Sequence, residues 1–265
     1  MLFEHYVEVQ NYYKSQSWIA LLLLGFALLF LLRQFGGSYI QPLFFASVYN
    51  AMAAYHKECR ELKRQHFDSM KNQQSADPEL RKKGVLRILE IGPGPGYNFE
   101  FYPANSQLTV AEVNPFFQKQ FFAQQSQYPH IKMERFIVGF AEDMKDVEDN
   151  SVDIVVSTMV LCSVRSIERA LKEIQRVLVP GGKYYYWEHI REAEYKSVLF
   201  VQHLFSYTFY DLVFGCKLNR TSDEVIKNDK GFSQVDQQRF RTPLKGGLYA
   251  ILIIHSSHVK GIATK

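Results

Sequence analysis

Cysteine is scarce in this 265-residue chain, which holds only Cys59, Cys162 and Cys216. An odd number of widely scattered cysteines gives neither the pairs of a disulfide framework nor the CxxC spacing of a zinc-binding motif. The pattern favours a reducing compartment. We therefore expect no structural zinc and no other bound metal.

Charge is absent from residues 15–32. As a helix this run covers about 27 Å, close to the thickness of the hydrocarbon core of a membrane. A cleaved signal peptide is the alternative, but the acids Glu4 and Glu8 stand where a basic n-region belongs, and RQFGGSY lacks a small-x-small cleavage site. The run therefore predicts a hydrophobic helical membrane anchor.

The next block, residues 38–56, is also uncharged and contains Pro42, which interrupts a helix. We interpret this block as lying in the membrane interface or re-entering the membrane, so that residues 1–56 form an N-terminal anchor and interfacial segment. A buried helix packed on a catalytic domain is the alternative.

Basic residues follow this hydrophobic region. Residues 57–83 contain eight Lys or Arg against five acids, a net of +3 in a chain whose net charge is +4. Such an excess beside a membrane segment favours the cytosolic side and attraction to anionic headgroups. Interleaved acids and few aromatics argue against nucleic acid as a partner, and a solvated helix face is the plain alternative. We predict a basic linker helix over residues 57–84, of which 72–84 are linker-like.

From residue 85 onward the sequence alternates between strand-like and helix-like stretches. The predicted strands are VLRILEI (85–91), QLTVAEV (107–113), RFIVGF (135–140), SVDIVVST (151–158) and GKYYYWEH (182–189). Between the last two, an apolar stripe at helical spacing predicts a helix: Ile167, Leu171, Ile174 and Leu178. The alternation predicts an α/β domain over residues 85–265, with a parallel sheet and ligands bound at the carboxyl ends of its strands.

A glycine-rich stretch, ILEIGPGPGYNF, occupies residues 88–99, where the first strand is expected to turn into a helix. It lacks the GK[ST] of a phosphate-binding loop and the GxGxxG spacing of a dinucleotide site. Gly92, Gly94 and Gly96 let the backbone approach a ligand closely. Glu90, just before them, suits the cationic end of a ligand, and Glu112, ending the second strand, suits ribose hydroxyls.

Four features in this order resemble the class I S-adenosylmethionine-dependent methyltransferases: ExGxGxG after strand one, an acid ending strand two, AED after strand three and LVPGG before strand five. More narrowly, NFEFYP, NPFFQKQF, ERFIVGFAEDM, NSVDIVVSTMVLCSV, WEHI and HVKGIATK are similar to the membrane-anchored methyltransferase-like family seven. Members of that family are alkyl thiol S-methyltransferases of the endoplasmic reticulum and lipid droplets. The resemblance is dense over residues 85–189 and looser over 190–257.

This resemblance implies a Rossmann-like class I methyltransferase fold with a mostly parallel seven-stranded sheet. It implies S-adenosyl-L-methionine as the cofactor and a small apolar thiol as the substrate. It also implies a location at the endoplasmic reticulum membrane or lipid droplets, with the catalytic domain in the cytosol.

The resemblance also assigns cofactor-binding roles. Glu90 orients the methionine amino group and Glu112 holds the ribose. The glycines on the methionine and ribose side are Gly92, Gly94 and Gly96. Around and below the adenine the resemblance places Phe140, Ala141, Glu142, Thr158 and Met159.

Two departures from the family pattern bear on cofactor binding. Phe140 stands where many class I enzymes have Asp, so adenine recognition is expected to rest on backbone groups or on Asp143. Pro93 and Pro95 replace residues that are usually Cys and Thr in the family. These prolines remove two amide donors and a hydroxyl from the loop.

Methyl transfer from a sulfonium asks mainly for positioning of a nucleophile in a dry pocket. A thiol with a pKa of about 8.5 is partly ionised at neutral pH, so a weak base suffices to remove its proton. His189, after strand five, is the candidate catalytic base, and a structural histidine is the alternative. Cys162 is a second candidate, for which a small buried hydrophobic role is the alternative.

Residues 195–215 are rich in aromatics and poor in charge. We predict that they form a lid lining an apolar substrate pocket, with a core helix as the alternative. His203 and Asp211 share roughly one face of such a helix and are either site residues or polar anchors. The apolar run LYAILII (248–254) is a strand or a membrane-contacting element.

The leading hypothesis is a cytosol-facing, membrane-anchored enzyme that methylates small alkyl thiols with S-adenosylmethionine. Methylation of a membrane lipid or quinone is one alternative. A non-catalytic membrane or lipid-droplet protein with a decayed methyltransferase fold is the other. Measurement of cofactor binding separates this last possibility from both enzymes.

Overall fold

The computed structural model describes residues 53–206, 215–242 and 253–265, together with Gly25. Nearly all of the predicted anchor and interfacial segment lies outside the described residues. So do residues 207–214 of the predicted lid, with Asp211, and most of the apolar run 248–254. Within the described ranges, no helix has both the length and the apolar character needed to cross a membrane.

A seven-stranded sheet forms the centre of the fold. Its strands are β1 Leu86–Ile91, β2 Ser106–Glu112, β3 Lys132–Val138, β4 Val152–Thr158, β5 Leu178–His189, β6 Gln234–Arg241 and β7 Ser257–Thr264. They lie in the order β3-β2-β1-β4-β5-β7-β6. Strands β1 to β5 pair in parallel, and β7 runs antiparallel to both β5 and β6. The expected α/β fold with a mostly parallel seven-stranded sheet is thereby confirmed.

Helices connect and cover the strands. The described α-helices are α1 Ala53–Phe67, α2 Pro78–Lys82, α3 Gln118–Gln125, α4 Ile167–Val177, α5 Lys196–Ser206 and α6 Ser222–Asn228. Short 3-10 helices occupy Asp68–Asn72, Phe99–Phe101, Pro115–Phe117 and Ile253–His255. The first of these helices continues α1, and the second follows the glycine-rich loop in place of a longer helix.

The strand ends lie within four residues of the sequence-based predictions, and two of the differences have a clear cause. β3 ends at Val138 and not at residue 140, because Phe140 enters a turn in which its carbonyl accepts the amide of Asp143 at 3.1 Å. β5 begins at Leu178 and not at residue 182. Its register against β4 shifts at the start of the pairing, and Gly181 takes a φ of 77° there, so the VPGG segment belongs to the strand as an irregularity.

Helix α4 confirms the predicted apolar stripe. Ile167, Leu171 and Ile174 are buried against the sheet, and Leu178 continues the series as the first residue of β5. Ser166 caps the helix, since its hydroxyl accepts the amide of Arg169 at 3.2 Å. The stripe faces the sheet because residues three and four apart share one side of a helix.

The core has two main layers, one on each face of the sheet. Neighbouring residues of β1 show this division, because Leu89 packs in the layer that contains α4 while Ile88 packs in the layer that contains Phe67 of α1. Side chains of a strand alternate between its faces, so a strand covered on both sides is apolar at nearly every position. This explains the continuous apolar runs in the sequence.

Helix α1 is packed on the domain, although its sequence resembles a basic linker. Tyr55, Cys59, Lys63 and Phe67, spaced four residues apart, are all buried. The outer side carries Arg60, which pairs with Glu100 at 2.6 Å. The basic segment is therefore a helix with an internal face and a charged external face, and its internal face carries one lysine.

Candidate active site

A cavity of about 280 Å³ opens at the carboxyl ends of β1, β2 and β4. β1 lies between β2 and β4 in the sheet, so the crossovers change direction there, as is usual for ligand sites in such sheets. The predicted cofactor residues that line it are Gly92, Gly94, Glu112, Phe140, Ala141, Glu142, Thr158 and Met159. Glu90 and Gly96 do not contribute to its lining.

The glycine-rich loop needs its glycines for backbone conformation and for space. Gly92, Gly94 and Gly96 have positive φ angles of 60°, 54° and 90°, which side-chain-bearing residues rarely adopt. A Cβ at Gly92 would lie 2.7 Å from a methyl of Val160, and one at Gly96 would lie 2.3 Å from the ring of Phe99. The loop therefore keeps a bare backbone against the cavity.

Glu112 is fixed at the edge of the cavity by two backbone amides. Its carboxylate accepts the Asn114 amide at 2.7 Å and the Gly94 amide at 3.0 Å, one on each oxygen. Burial raises the pKa of this carboxyl, and the two amides act in the opposite direction. Each oxygen retains a second acceptor site, so the carboxylate is oriented and still able to accept hydroxyl groups from a ligand.

Glu90 lies behind the cavity in a buried polar group. The Asn98 side-chain amide donates to Glu90 at 2.7 Å and to the Thr158 hydroxyl at 2.9 Å. Burial raises the pKa of Glu90 to about 7, against the opposing effects of Tyr102, Asn98 and Lys63. Thr158 lines the cavity. Asn98 thus connects the buried acid to a cavity residue.

Lys63 completes this buried polar group and was not assigned to the site from the sequence. Its ammonium donates to the Asn98 side-chain carbonyl at 3.1 Å and lies 3.4 Å from Nδ1 of His56. Burial lowers its pKa to about 8. The charge count of residues 57–83 placed Lys63 on a solvated helix face. The sequence did contain a signal for its burial, because Lys63 lies four residues from both Cys59 and Phe67 and so on the same side of the helix.

The loop after β3 forms the rim of the cavity on the predicted adenine side. The Glu142 carboxylate accepts the backbone amides of Arg165 and Ser166 and so ties this loop to the start of α4. The Arg165 guanidinium lies 4.9 Å from the centre of the Phe140 ring, which is 46 % exposed. Asp143 does not line the cavity; its carboxylate lies 3.9 Å from Lys145 on the surface. Ala141 lines the cavity, and adenine recognition by backbone groups beside it stays a prediction.

Met159, at the end of β4, has a φ of 57°. A positive φ is unusual for a residue with a long side chain and marks local backbone strain. Its amide donates to the Trp187 carbonyl at 2.8 Å, which holds the turn in place. The chain thereby turns directly below the cavity, between Thr158 and Val160.

His189, the predicted catalytic base, is buried at the end of β5, and its side chain does not line the cavity. Its Nε2 lies 2.8 Å from the sulfur of Cys216, and the Cys162 thiol donates to the Met159 carbonyl at 3.4 Å. The pKa of the Cys162 thiol is lowered below its usual range, chiefly by a hydrogen bond from Cys216. Cys216 was not singled out from the sequence, and the base role of His189 stays a prediction.

The predicted lid is described only in part. α5 covers residues 196–206, and Phe200 and Leu204 on it are largely exposed. His203 lies at 2.9 Å from the Asn219 side-chain amide, outside the cavity lining. Gly215 does contribute to the lining. The lid role of residues 195–215 stays a prediction.

Comparison with known proteins places these features in a family. The methyltransferase domain family matches residues 89–186. Thiol S-methyltransferase TMT1B of Rattus norvegicus is 36 % identical over 193 residues, which cover 73 % of this chain and 76 % of the rat protein. Thiol S-methyltransferase TMT1A of Homo sapiens is 36 % identical over 211 residues, which cover 80 % and 81 % of the two chains.

A solved structure shows the same fold at a greater sequence distance. A SAM-dependent methyltransferase from Thermotoga maritima, described as a possible histamine N-methyltransferase, superposes with a TM-score of 0.54 at 17 % identity. The superposition covers 84 % of this chain and 98 % of that one. At this identity the likeness concerns the fold alone.

Proposed function

This chain belongs to the thiol S-methyltransferase family, and on that premise we propose that it methylates the sulfur of small alkyl thiols with S-adenosyl-L-methionine as methyl donor. The observation that carries the proposal is the Glu112 carboxylate, fixed by two amides at a cavity whose other side is a bare glycine loop. The arrangement offers acceptors for a ribose and a close backbone approach for the rest of the cofactor.

The residues present fit S-adenosylmethionine. Gly92 and Gly94 line the cavity, so a ligand can lie against their backbone, and the two amides that Glu112 accepts leave it further acceptor sites. When bound, the cofactor supplies a methyl group already activated by a sulfonium. We propose that Glu112 holds the ribose and that Phe140, Ala141 and Glu142 surround the adenine.

We propose that Glu90 attracts the amino end of the cofactor through the Thr158 end of the cavity. Supporting this, Glu90 and Thr158 share the Asn98 amide as a donor. Lys63, on the other side of Asn98, lowers the pKa of Glu90 and thus favours its ionised form. Burial makes such a charge effective because little water screens it.

The acceptor side of the cavity is apolar. Met159, Val160 and Val164 line it together with Ser163. Such a surface suits an alkyl chain and excludes water from the reacting sulfur. The thiol itself needs only modest help to lose its proton, because its ordinary pKa lies about one to two units above neutral pH.

We also propose that residues 15–32 anchor the chain in the endoplasmic reticulum membrane or on lipid droplets, with the catalytic domain in the cytosol. The uncharged run and the basic segment after it support this arrangement. The test compares the full chain with one that lacks residues 1–34 in membrane fractions after alkaline washing. Recovery of the full chain in the soluble fraction contradicts the proposal.

Methyl transfer from labelled S-adenosylmethionine to a panel of alkyl thiols, lipids and quinones tests the activity. We expect turnover with thiols by the full chain in detergent. Glu112→Ala removes charged acceptors for two hydroxyls, at about 1.5 kcal/mol each, so cofactor affinity should fall about 100-fold. Glu79→Gln, an exposed acid on α2, is the matched control and should bind as the wild type does.

Calorimetry with S-adenosylhomocysteine separates binding from chemistry. Absence of binding by the wild type would contradict any methyltransferase function. Binding without turnover of any thiol, or turnover confined to lipids or quinones, would contradict the thiol substrate. Unchanged affinity of Glu112→Ala for S-adenosylhomocysteine would contradict the proposed role of Glu112 in holding the ribose.

A further inference from the structure

A cluster of three donor side chains lies beside the acceptor side of the cavity. Cys162 follows β4, His189 ends β5, and Cys216 follows the described part of the predicted lid. One ligand atom from each of the three lies within 4.8 Å of both others, and all three side chains are buried. Sulfur and imidazole donors at such spacing are the ligands that zinc prefers in proteins.

The hydrogen bonds of Cys162 at this cluster are long contacts through sulfur, at 3.4 Å to the Met159 carbonyl and 3.5 Å to the Ser163 hydroxyl. Nδ1 of His189 is buried and has no hydrogen-bond partner among the described residues. The ring of His255 lies 5.3 Å from the His189 ring, at an angle of 86° to it. The other ring nitrogen points at sulfur. Thiols are weak hydrogen-bonding groups, so a metal ion bound by both sulfurs and by Nε2 would give these three atoms a stronger common partner.

The cluster adjoins the cavity at two points. Ser163, next to Cys162, and Gly215, next to Cys216, both line the cavity. A metal with three protein ligands keeps a fourth position open, as in zinc sites with catalytic roles. A fourth ligand entering from the cavity would therefore approach the metal from the acceptor side.

We propose that Cys162, His189 and Cys216 bind one Zn²⁺ ion whose fourth ligand is the sulfur of the thiol substrate. This inference rests on the proposed thiol methylation for the identity of the fourth ligand. The three protein ligands rest only on their geometry. The expectation of no metal came from the absence of CxxC spacing, which does not report on residues brought together from three separate segments.

Charge balance supports this set. A divalent ion cancels the charges of two buried thiolates, so the substrate thiolate adds one negative charge. The guanidinium of Arg220 donates to the carbonyls of Leu161 and Val164, on the turn that carries Cys162. This cation contacts the turn that carries Cys162 and so places a positive charge next to one of the ligand residues.

The proposed step balances in atoms and electrons. On binding, the S–H bond of the substrate is replaced by a Zn–S bond, and the proton passes to solvent through the cavity mouth. A sulfur lone pair then forms the bond to the methyl carbon while the methyl–sulfonium bond breaks, and that bond's electron pair stays on the sulfur of S-adenosylhomocysteine. The product is a neutral thioether, which binds zinc more weakly than a thiolate and leaves.

Metal content is the first test. The full chain is purified in detergent without an affinity tag that binds metal, dialysed, and analysed by elemental mass spectrometry. We expect about one zinc per chain in the wild type and in Cys59→Ser, a buried cysteine outside the cluster, and at least a tenfold loss in Cys162→Ser and Cys216→Ser. If the wild type still contains no zinc after reconstitution with Zn²⁺, the proposal is overturned.

X-ray absorption spectroscopy of the zinc-loaded chain tests the ligand set. We expect two sulfurs at about 2.3 Å and one nitrogen at about 2.0 Å without substrate, and a third sulfur after addition of an alkyl thiol. A sulfur count that stays at two overturns substrate ligation, and a disulfide joining Cys162 to Cys216 in freshly purified protein overturns the site.

Two controls keep the outcome interpretable. Removal of zinc from the wild type with a chelator, followed by its return, changes no residue and should abolish and restore thiol turnover. Binding of S-adenosylhomocysteine by each cysteine variant reports whether it has folded. Thiol turnover by zinc-free chain refutes the zinc inference and leaves the proposed function intact. Zinc bound by all three residues without turnover of any thiol refutes the proposed function and, with it, the assigned fourth ligand.

Discussion

The two sides of the cavity are built from different lengths of chain. Much of the proposed cofactor side comes from one continuous stretch, in which β1, the glycine-rich loop and β2 bring Gly92, Gly94 and Glu112 together within residues 86–112. The acceptor side joins the turn after β4 to Gly215, and beside it His189 at the end of β5 lies close to Cys162 and Cys216. Local sequence defines the first side, and tertiary packing defines the second.

This difference predicts how each side should respond to amino-acid substitutions. The cofactor side depends on backbone conformations that few residues can adopt, so substitutions there should act through strain. The zinc site that we propose beside the acceptor side depends on side-chain donors, so substitutions there should change ligand chemistry while cofactor binding persists. The following predictions test this contrast, from the largest expected effect to the smallest.

Gly96→Ala should destabilise the fold by about 3 kcal/mol, since a positive φ costs about 1–2 kcal/mol and the added Cβ meets the Phe99 ring. Gly84 has a similar φ of 64°, but a Cβ there has no neighbour within 4 Å. Gly84→Ala should therefore lose only about 1 kcal/mol. Urea unfolding of both variants measures the difference, and equal losses would contradict the contribution of packing at Gly96.

Glu90→Gln should change how stability depends on pH. The pKa of Glu90 is about 7 in the folded chain and near 4.5 when unfolded, so the folded state binds more protons between these values. The wild type should therefore lose about 2 kcal/mol of stability through this group as pH rises from about 4.5 to 7. The variant lacks this contribution, and parallel pH profiles of the two proteins would contradict the buried acid's role.

Lys63→Met should weaken S-adenosylhomocysteine binding about tenfold near neutral pH. The variant removes the nearby positive charge that favours ionised Glu90, and one pKa unit corresponds to about a tenfold change in this range. The weakening should shrink as pH rises above 8, where Glu90 ionises without help.

Lys57→Met on the exposed part of α1 is the matched control and should bind the ligand normally. A pH-independent loss of affinity in Lys63→Met would indicate a role in packing alone. Equal loss in both variants would contradict the buried polar group as part of the cofactor side.

The fold was largely predictable from the sequence, because strands buried on both faces leave continuous apolar runs and an amphipathic helix leaves an apolar stripe at helical spacing. The stripe of Ile167, Leu171 and Ile174 is an example, as is the acid at Glu112 ending a strand. The start of β5 was not predictable, since VPGG signals a helix end and the pairing irregularity with β4 depends on the neighbouring strand.

The site was predictable only where it is local. Glycine spacing and the strand-end acid predicted Gly92, Gly94 and Glu112, which do line the cavity, but Lys63 joins the buried polar group behind it from a helix that the charge count assigned to solvent. The proximity of Cys162, His189 and Cys216 depends on three segments that only the fold brings together. No spacing rule along the chain reports such a cluster.

Phe140→Ala should have the smallest effect, about a threefold loss of cofactor affinity. The half-exposed ring at the cavity rim is stacked by Arg165, an interaction worth about 0.5–1 kcal/mol at such sites, and solvent already shares the position. Phe122→Ala, a similarly exposed aromatic on α3 that does not line the cavity, is the control. Calorimetry should show unchanged affinity for this control. A loss as large as that of Glu112→Ala would mean that the rim, and not the strand-end acid, carries cofactor recognition.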